Sequence, residues 1–65
     1  ANQIYFSARD QKGRMAICQQ SINSGKVSVI SPWTYHPIGI PYVTESHVYY
    51  SRSDADAEHI YRVSI

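Results

Sequence analysis

Apolar positions in this chain fall into short runs of residues that favour extended backbone, and polar turn clusters separate them. Ile4-Tyr5-Phe6-Ser7-Ala8 is the first run, and it ends at the turn cluster Arg9-Asp10-Gln11-Lys12-Gly13. Its apolar residues are adjacent, not alternating, which is the pattern of a strand covered on both faces. Arg14 to Ile22 reads as the return strand, and Asn23-Ser24-Gly25-Lys26 as a second turn, with Gly25 the carrier of a positive φ. Val27 to Ile30 follows as a third strand, on which Lys26 and Ser28 are expected to face water as on an outer edge. Ser31 to Pro37 breaks the pattern, because its two prolines withdraw ladder donors and restrict their neighbours. Ile38 to Val43 resumes as an inner strand, with a bulge or an edge position required at Pro41. Thr44-Glu45-Ser46 turns the chain into a second hairpin, His47 to Ile65. A 3.6-residue apolar period is missing throughout.

The second hairpin repeats the first. Ile4-Tyr5-Phe6-Ser7 aligns with Val48-Tyr49-Tyr50-Ser51 at an offset of 44, and Ile17 to Ile22 aligns with Ile60 to Ile65 at an offset of 43. A self-similar unit of roughly 40–45 residues holding several short strands is the signature of β-propeller blades. The expected fold is therefore all-β, a partial β-propeller of about one and a half four-stranded antiparallel blades. Residues 1–31 would supply strands two to four of one blade, residues 32–37 the inter-blade crossing, and residues 38–65 the first three strands of the next. The chain has 65 residues, and below about 70–80 residues a core rarely supplies more than 3–5 kcal/mol without staples. Closed propellers typically need about 4–8 blades. The expectation is a single incomplete domain, a piece of a longer chain.

Composition adds exclusions more than functions. Net charge is +1 and the six Lys and Arg are scattered, so no basic stripe tracks a phosphate backbone and nucleic acid is not an expected partner. Six tyrosines and 43% hydrophobic content fit a folded β-rich chain. A lone Cys18 closes no intrachain disulfide, and no Cys/His set has zinc spacing. Ser, His and Asp are present without the G-x-S-x-G elbow of a hydrolase nucleophile. His36, His47 and His59 stand in the crossing loop and at two strand starts, positions that read as structural or surface. Ser7 and Ser51 recur at matching repeat positions, which points to a shared structural role. Asp54, Asp56 and Glu58 present three alternating carboxylates, readable as a hard-cation site or as a solvated hairpin tip. Asp10 in the equivalent turn favours the tip. Tyr49 and Tyr50, with Tyr61 across the hairpin, are readable as a stacking platform or as inter-blade packing. Trp33 either anchors a partner or wedges between blades, and Met15 and Cys18 read as core fillers. No catalytic, substrate-binding or metal-ligating residue is assigned, and no cofactor.

Ile17-Cys18-Gln19-Gln20-Ser21-Ile22, Val27 to Ser31, Trp33, Ile38-Gly39-Ile40, and His47-Val48-Tyr49-Tyr50-Ser51 followed by His59 to Ile65 occur in that order. This series resembles the N-terminal propeller of dipeptidyl peptidase IV-like serine peptidases, of the prolyl oligopeptidase superfamily, over nearly the whole chain from Ile4. The resemblance implies a parent enzyme whose hydrolase domain removes N-terminal dipeptides with proline or alanine in second position. The propeller would cap that domain, admit narrow peptide substrates and help hold their N-termini. None of the family's catalytic or amine-binding residues matches a position here, and some relatives are inactive partners of membrane channels. The implied partners are the rest of the propeller, the hydrolase domain and peptide substrate, with a homodimeric parent allowed for. The implied setting is extracellular or at the cell surface. Cys18 matches a position that in secreted members pairs with a cysteine on the next strand, where Val27, Ser28 and Val29 offer none. The crossing between Trp33 and Ile38 is two residues longer than the family's. A binding or scaffold propeller without enzymatic activity is the alternative reading.

Overall fold

Two hairpins of equal strand length dominate the structure, a computed structural model that describes residues 2–65. The first pairs β1 (Gln3–Arg9) with β2 (Met15–Ser21), and β3 (Val27–Val29) joins the far side of β2. β4 (Tyr42–Val43) begins the second sheet, followed by the hairpin of β5 (His47–Ser53) and β6 (Glu58–Ser64). Both sheets are three-stranded antiparallel meanders, ordered β1-β2-β3 and β4-β5-β6, and no helix forms among the described residues. The fold is all-β as expected. Each sheet holds three strands, however, where a full blade of the expected kind holds four.

The repeat is reproduced strand for strand. β5 starts 44 residues after β1, and β6 starts 43 residues after β2, the lost residue lying in the shorter hairpin loop. Even the terminal bonds recur. Ile22 N–H donates to the Asn2 carbonyl at 2.8 Å, and Ile65 N–H donates to the Ser46 carbonyl at 2.9 Å, positions related by the same two offsets.

The sheets stack face to face. Ile17, Ile38, Val48 and Tyr50 form the buried cluster between them, with Tyr5, Met15, Ile30, Tyr61 and Val63 packed around it. Ile17 and Val48 are fully buried. Because side chains alternate across a strand and register partners share a face, the inner face of the first sheet carries Tyr5, Ser7, Met15 and Ile17, with Ser7 opposite Ile17. The inner face of the second carries Val48 opposite Val63 and Tyr50 opposite Tyr61. The thinnest dimension of the molecule is 14 Å, in keeping with two layers typically about 10 Å apart.

Three local features depart from the sequence pattern. Val27 and Val29 are exposed while Ser28 is half-buried. Lys26 is exposed as expected, but Ser28 is not, because it pairs with Gln19 on the inner face while the valines continue the outer one. The strand expected from Ile38 to Val43 is a ladder only at Tyr42 and Val43, joined by an isolated pairing of Ile38 with Arg52. Between those pairings the chain advances four residues on one side and three on the other, which is the bulge that Pro41 requires. Finally, Ile4 is half exposed, so β1 has the composition of a strand covered on both faces but is covered on one.

The crossing is fixed by side chains as well as backbone. Ser31 is buried, and its Oγ accepts the Ile17 N–H at 2.8 Å where the β3 ladder bulges before Thr34 bonds back to Met15. Gly39 donates its N–H to the Ser51 carbonyl at 3.0 Å, and a Cβ built on it would lie 2.5 Å from Ser51 Oγ. Ser7 Oγ meanwhile donates to the Gly39 carbonyl at 2.8 Å. The two repeat-matched serines therefore converge on one glycine from the two sheets.

Ser31→Ala should destabilise the chain by about 1–3 kcal/mol by leaving the Ile17 amide without an acceptor, and Ile17→Ala by about 2–5 kcal/mol. Urea titration followed by tyrosine fluorescence reads both, and a loss below about 0.5 kcal/mol at either position would contradict the stacked core.

Candidate functional site

The densest group of polar and aromatic side chains sits at the loop end of the second hairpin. Arg52 is its centre. Its Nε donates to Asp54 Oδ1 at 3.0 Å, its Nη2 donates to the Tyr61 hydroxyl at 2.7 Å, and its guanidinium lies 4.5 Å from the Tyr61 ring centroid. His36, carried in by the crossing, brings Nδ1 to 3.7 Å from Asp54 Oδ1, and His59 Nε2 lies 3.6 Å from Asp54 Oδ2. Tyr61 also stacks on Tyr50 at 5.7 Å between ring centroids. The group links the hairpin tip to the edge of the inter-sheet core.

The Arg52 hydrogen bond holds the Asp54 carboxyl below its ordinary value of 3.8, outweighing desolvation that would raise it, and nearby positive charge adds to the effect. Asp10 occupies the matching loop position. Desolvation there would raise its carboxyl, but it too lies below 3.8 because Arg14 and Lys12 hydrogen-bond to it. Its Oδ1 accepts the N–H groups of Lys12 and Arg14 at 2.9 and 2.8 Å, and its Oδ2 takes a 2.7 Å ion pair from Arg14 Nε. Both aspartates thus organise hairpin tips, as the repeat suggested, with different partners. Exposed pairs of this kind contribute little each.

The other candidate residues divide plainly. Asp56 and Glu58 are exposed and make no ion pair, and no group of three metal-capable side chains forms among the described residues. The platform of Tyr49 and Tyr50 does not exist, because adjacent strand positions face opposite ways and only Tyr50 turns into the core. Trp33 is half-buried beneath the Arg14 guanidinium at 5.7 Å and stands outside the inter-sheet cluster, so it does not wedge between the sheets. Met15 packs on the core. Cys18 is buried and free, burial pushes its thiol pKa up, and its cross-strand neighbours are Phe6 and Val29.

A contact that the sequence did not single out is that of Ser46 Oγ with His47 Nδ1 at 2.8 Å. It joins chain neighbours, and no carboxylate orients His47 among the described residues, so it lacks the third member that nucleophilic catalysis needs. Comparison with family models, curated proteins and solved structures finds no match to this chain.

Asp54 sets a pH dependence with a definite sign. Its pKa is depressed on folding, so its contribution is complete above pH 3.8 and is lost as pH falls through the lower folded value. The urea midpoint should drop on acidification over that range, and Asp54→Asn should flatten the drop. An identical acid limb in the variant would show that the Arg52 pair carries none of it.

Proposed function

We propose that this chain is a non-catalytic stretch of a β-propeller belonging to a dipeptidyl peptidase IV-like serine peptidase, where it helps form the cap that admits and positions peptide substrates. The observation that carries the propeller part is the way the two repeats meet. The inner face of the first hairpin, Tyr5, Ser7, Met15 and Ile17, corresponds at offsets of 44 and 43 to Tyr49, Ser51, Glu58 and Ile60, on the outer face of the second. Successive units therefore stack front to back, as blades do around a ring. On this reading the first sheet lacks its innermost strand and the second its outermost. The peptidase part rests on the ordered motif series from Ile17-Cys18 to the second hairpin.

A scaffold propeller without activity is the second reading, and one observation favours it. The crossing and the segment that follows it into β4 present Tyr35, Ile40 and Tyr42 to solvent at 70, 92 and 71% exposure, an apolar display suited to a protein partner.

The full-length protein should release N-terminal dipeptides from an Xaa-Pro chromogenic amide and lose that activity to a serine-directed reagent, while the isolated chain does not hydrolyse the amide. A full-length protein with further blades and no G-x-S-x-G segment would replace the peptidase reading with the scaffold one.

A further inference from the structure

The two copies of the repeat agree residue for residue on one face only. Tyr5, Ser7, Ile17 and Ser21 share the face of the first sheet that stacks on the second, and their counterparts on the second sheet's outer face, Tyr49, Ser51, Ile60 and Ser64, are the same residue types. On the opposite face no strand position keeps its residue: Ile4, Phe6 and Cys18 become Val48, Tyr50 and Tyr61. The agreement therefore follows the side that meets the next unit. Ser7 shows what that side does, since its Oγ donates to the Gly39 carbonyl at 2.8 Å across the gap between the sheets. The matching Ser51 hydroxyl donates no hydrogen bond among the described residues. Ile60 is 70% exposed where its counterpart Ile17 is fully buried.

We propose that a further copy of this unit, in the longer protein of which this chain is a stretch, stacks on the outer face of the second sheet, and that Ser51 donates to the carbonyl of that unit's Gly39 counterpart. Continuity with the internal interface selects this occupant. Ile60 meets the incoming unit's counterparts of Val48 and Tyr50, as Ile17 meets Val48 and Tyr50 themselves. Glu58 and Arg62 stand two residues either side of Ile60 on β6, where the first copy has Met15 and Gln19, and they set one negative and one positive charge at the margin of an apolar centre. Those two charges distinguish this junction from the internal one and require opposite charge on the unit that docks there. The inference rests on the propeller part of the reading above and not on its peptidase part.

The test uses the full-length protein, with the photoreactive residue p-benzoylphenylalanine in place of Tyr5 or of Tyr49 and the cross-links mapped by mass spectrometry. The probe at Tyr5 should mark the stretch from Ile38 to Tyr50, which it packs against. The probe at Tyr49 should mark the corresponding stretch about 44 residues further along the same chain. Ser51→Ala should lower the urea midpoint as much as Ser7→Ala does, since each removes one hydroxyl from an equivalent contact. Circular dichroism establishes that the strands are kept, and Ile60, at 70% exposure, takes the probe where Tyr49 does not tolerate it. Cross-links from Tyr49 to a segment that does not repeat this unit, or to another protein, overturn the proposal, as does their absence while the Tyr5 probe reacts. A Ser51→Ala midpoint equal to that of the unaltered protein overturns the hydrogen bond. If a further repeat follows the second hairpin and the Tyr49 probe still marks something else, the propeller reading stands and this inference falls; a full-length sequence without a further repeat removes both.

Discussion

Stacking of Ile17 against the layer that holds Val48 and Tyr50 is the contact on which this small molecule depends. Neither three-stranded sheet encloses this core by itself, because the cluster is built from side chains of both. A hairpin or short meander gains stability when an apolar face is buried on a second layer. The apolar cluster between the sheets supplies that layer, and the polar contacts at its margin fix its register. Ser7 reaches from the first sheet to the Gly39 carbonyl, while Ser51 occupies the space that a side chain on Gly39 would take. A larger residue at position 39 would have to displace Ser51 Oγ, the mobile end of a short side chain. The constraint there is close approach between chain segments.

The same constraint explains how one sequence unit came to serve in two settings. Loop length accounts for the divergence of the matched aspartates. In the five-residue loop of the first hairpin, Asp10 folds back on the N–H groups of Lys12 and Arg14, and Gly13 supplies the positive φ of 84° that the tight return needs. The second loop is one residue shorter and closes with the Asp54 N–H on the Ala57 carbonyl at 2.8 Å. Its carboxylate has no such amide pair and turns to Arg52 instead. That places a guanidinium against Tyr61 and draws the crossing, through His36, toward the hairpin tip.

Much of this was legible in the residues because it is local. The offsets of 44 and 43 gave both hairpins, Gly25 marked a turn with φ of 75°, and Pro41 announced a bulge that the register displays. What depended on neighbours was not legible. Ser28 was expected to face water and is half-buried, because which face of an edge strand is covered depends on which layer lies beside it. Tyr49 and Tyr50 are consecutive tyrosines with opposite fates, decided by the pleat and by the side on which the first sheet packs. The grouping of Arg52, Asp54, His36 and His59 follows from the path of the crossing, which the prolines at 32 and 37 interrupt without directing.

The direction of stacking has a consequence for how such a unit is stabilised. Had the two hairpins met through the same repeat face, the contact would be self-complementary and complete, and the outer faces would have been free to become polar. They meet instead through different faces, Tyr5 and Ile17 from one and Val48 and Tyr50 from the other. In a front-to-back array each unit must keep both faces apolar, because its stability is the sum of its own terms and those of its two neighbours. The outer face of the first sheet carries Ile4, Phe6 and the two valines of β3 in this way, whereas that of the second sets Tyr42 and Ile60 among Ser51, Glu58 and Arg62. The fully buried Ile17 and its 70% exposed counterpart Ile60 show what one repeat position becomes with and without a layer stacked on it.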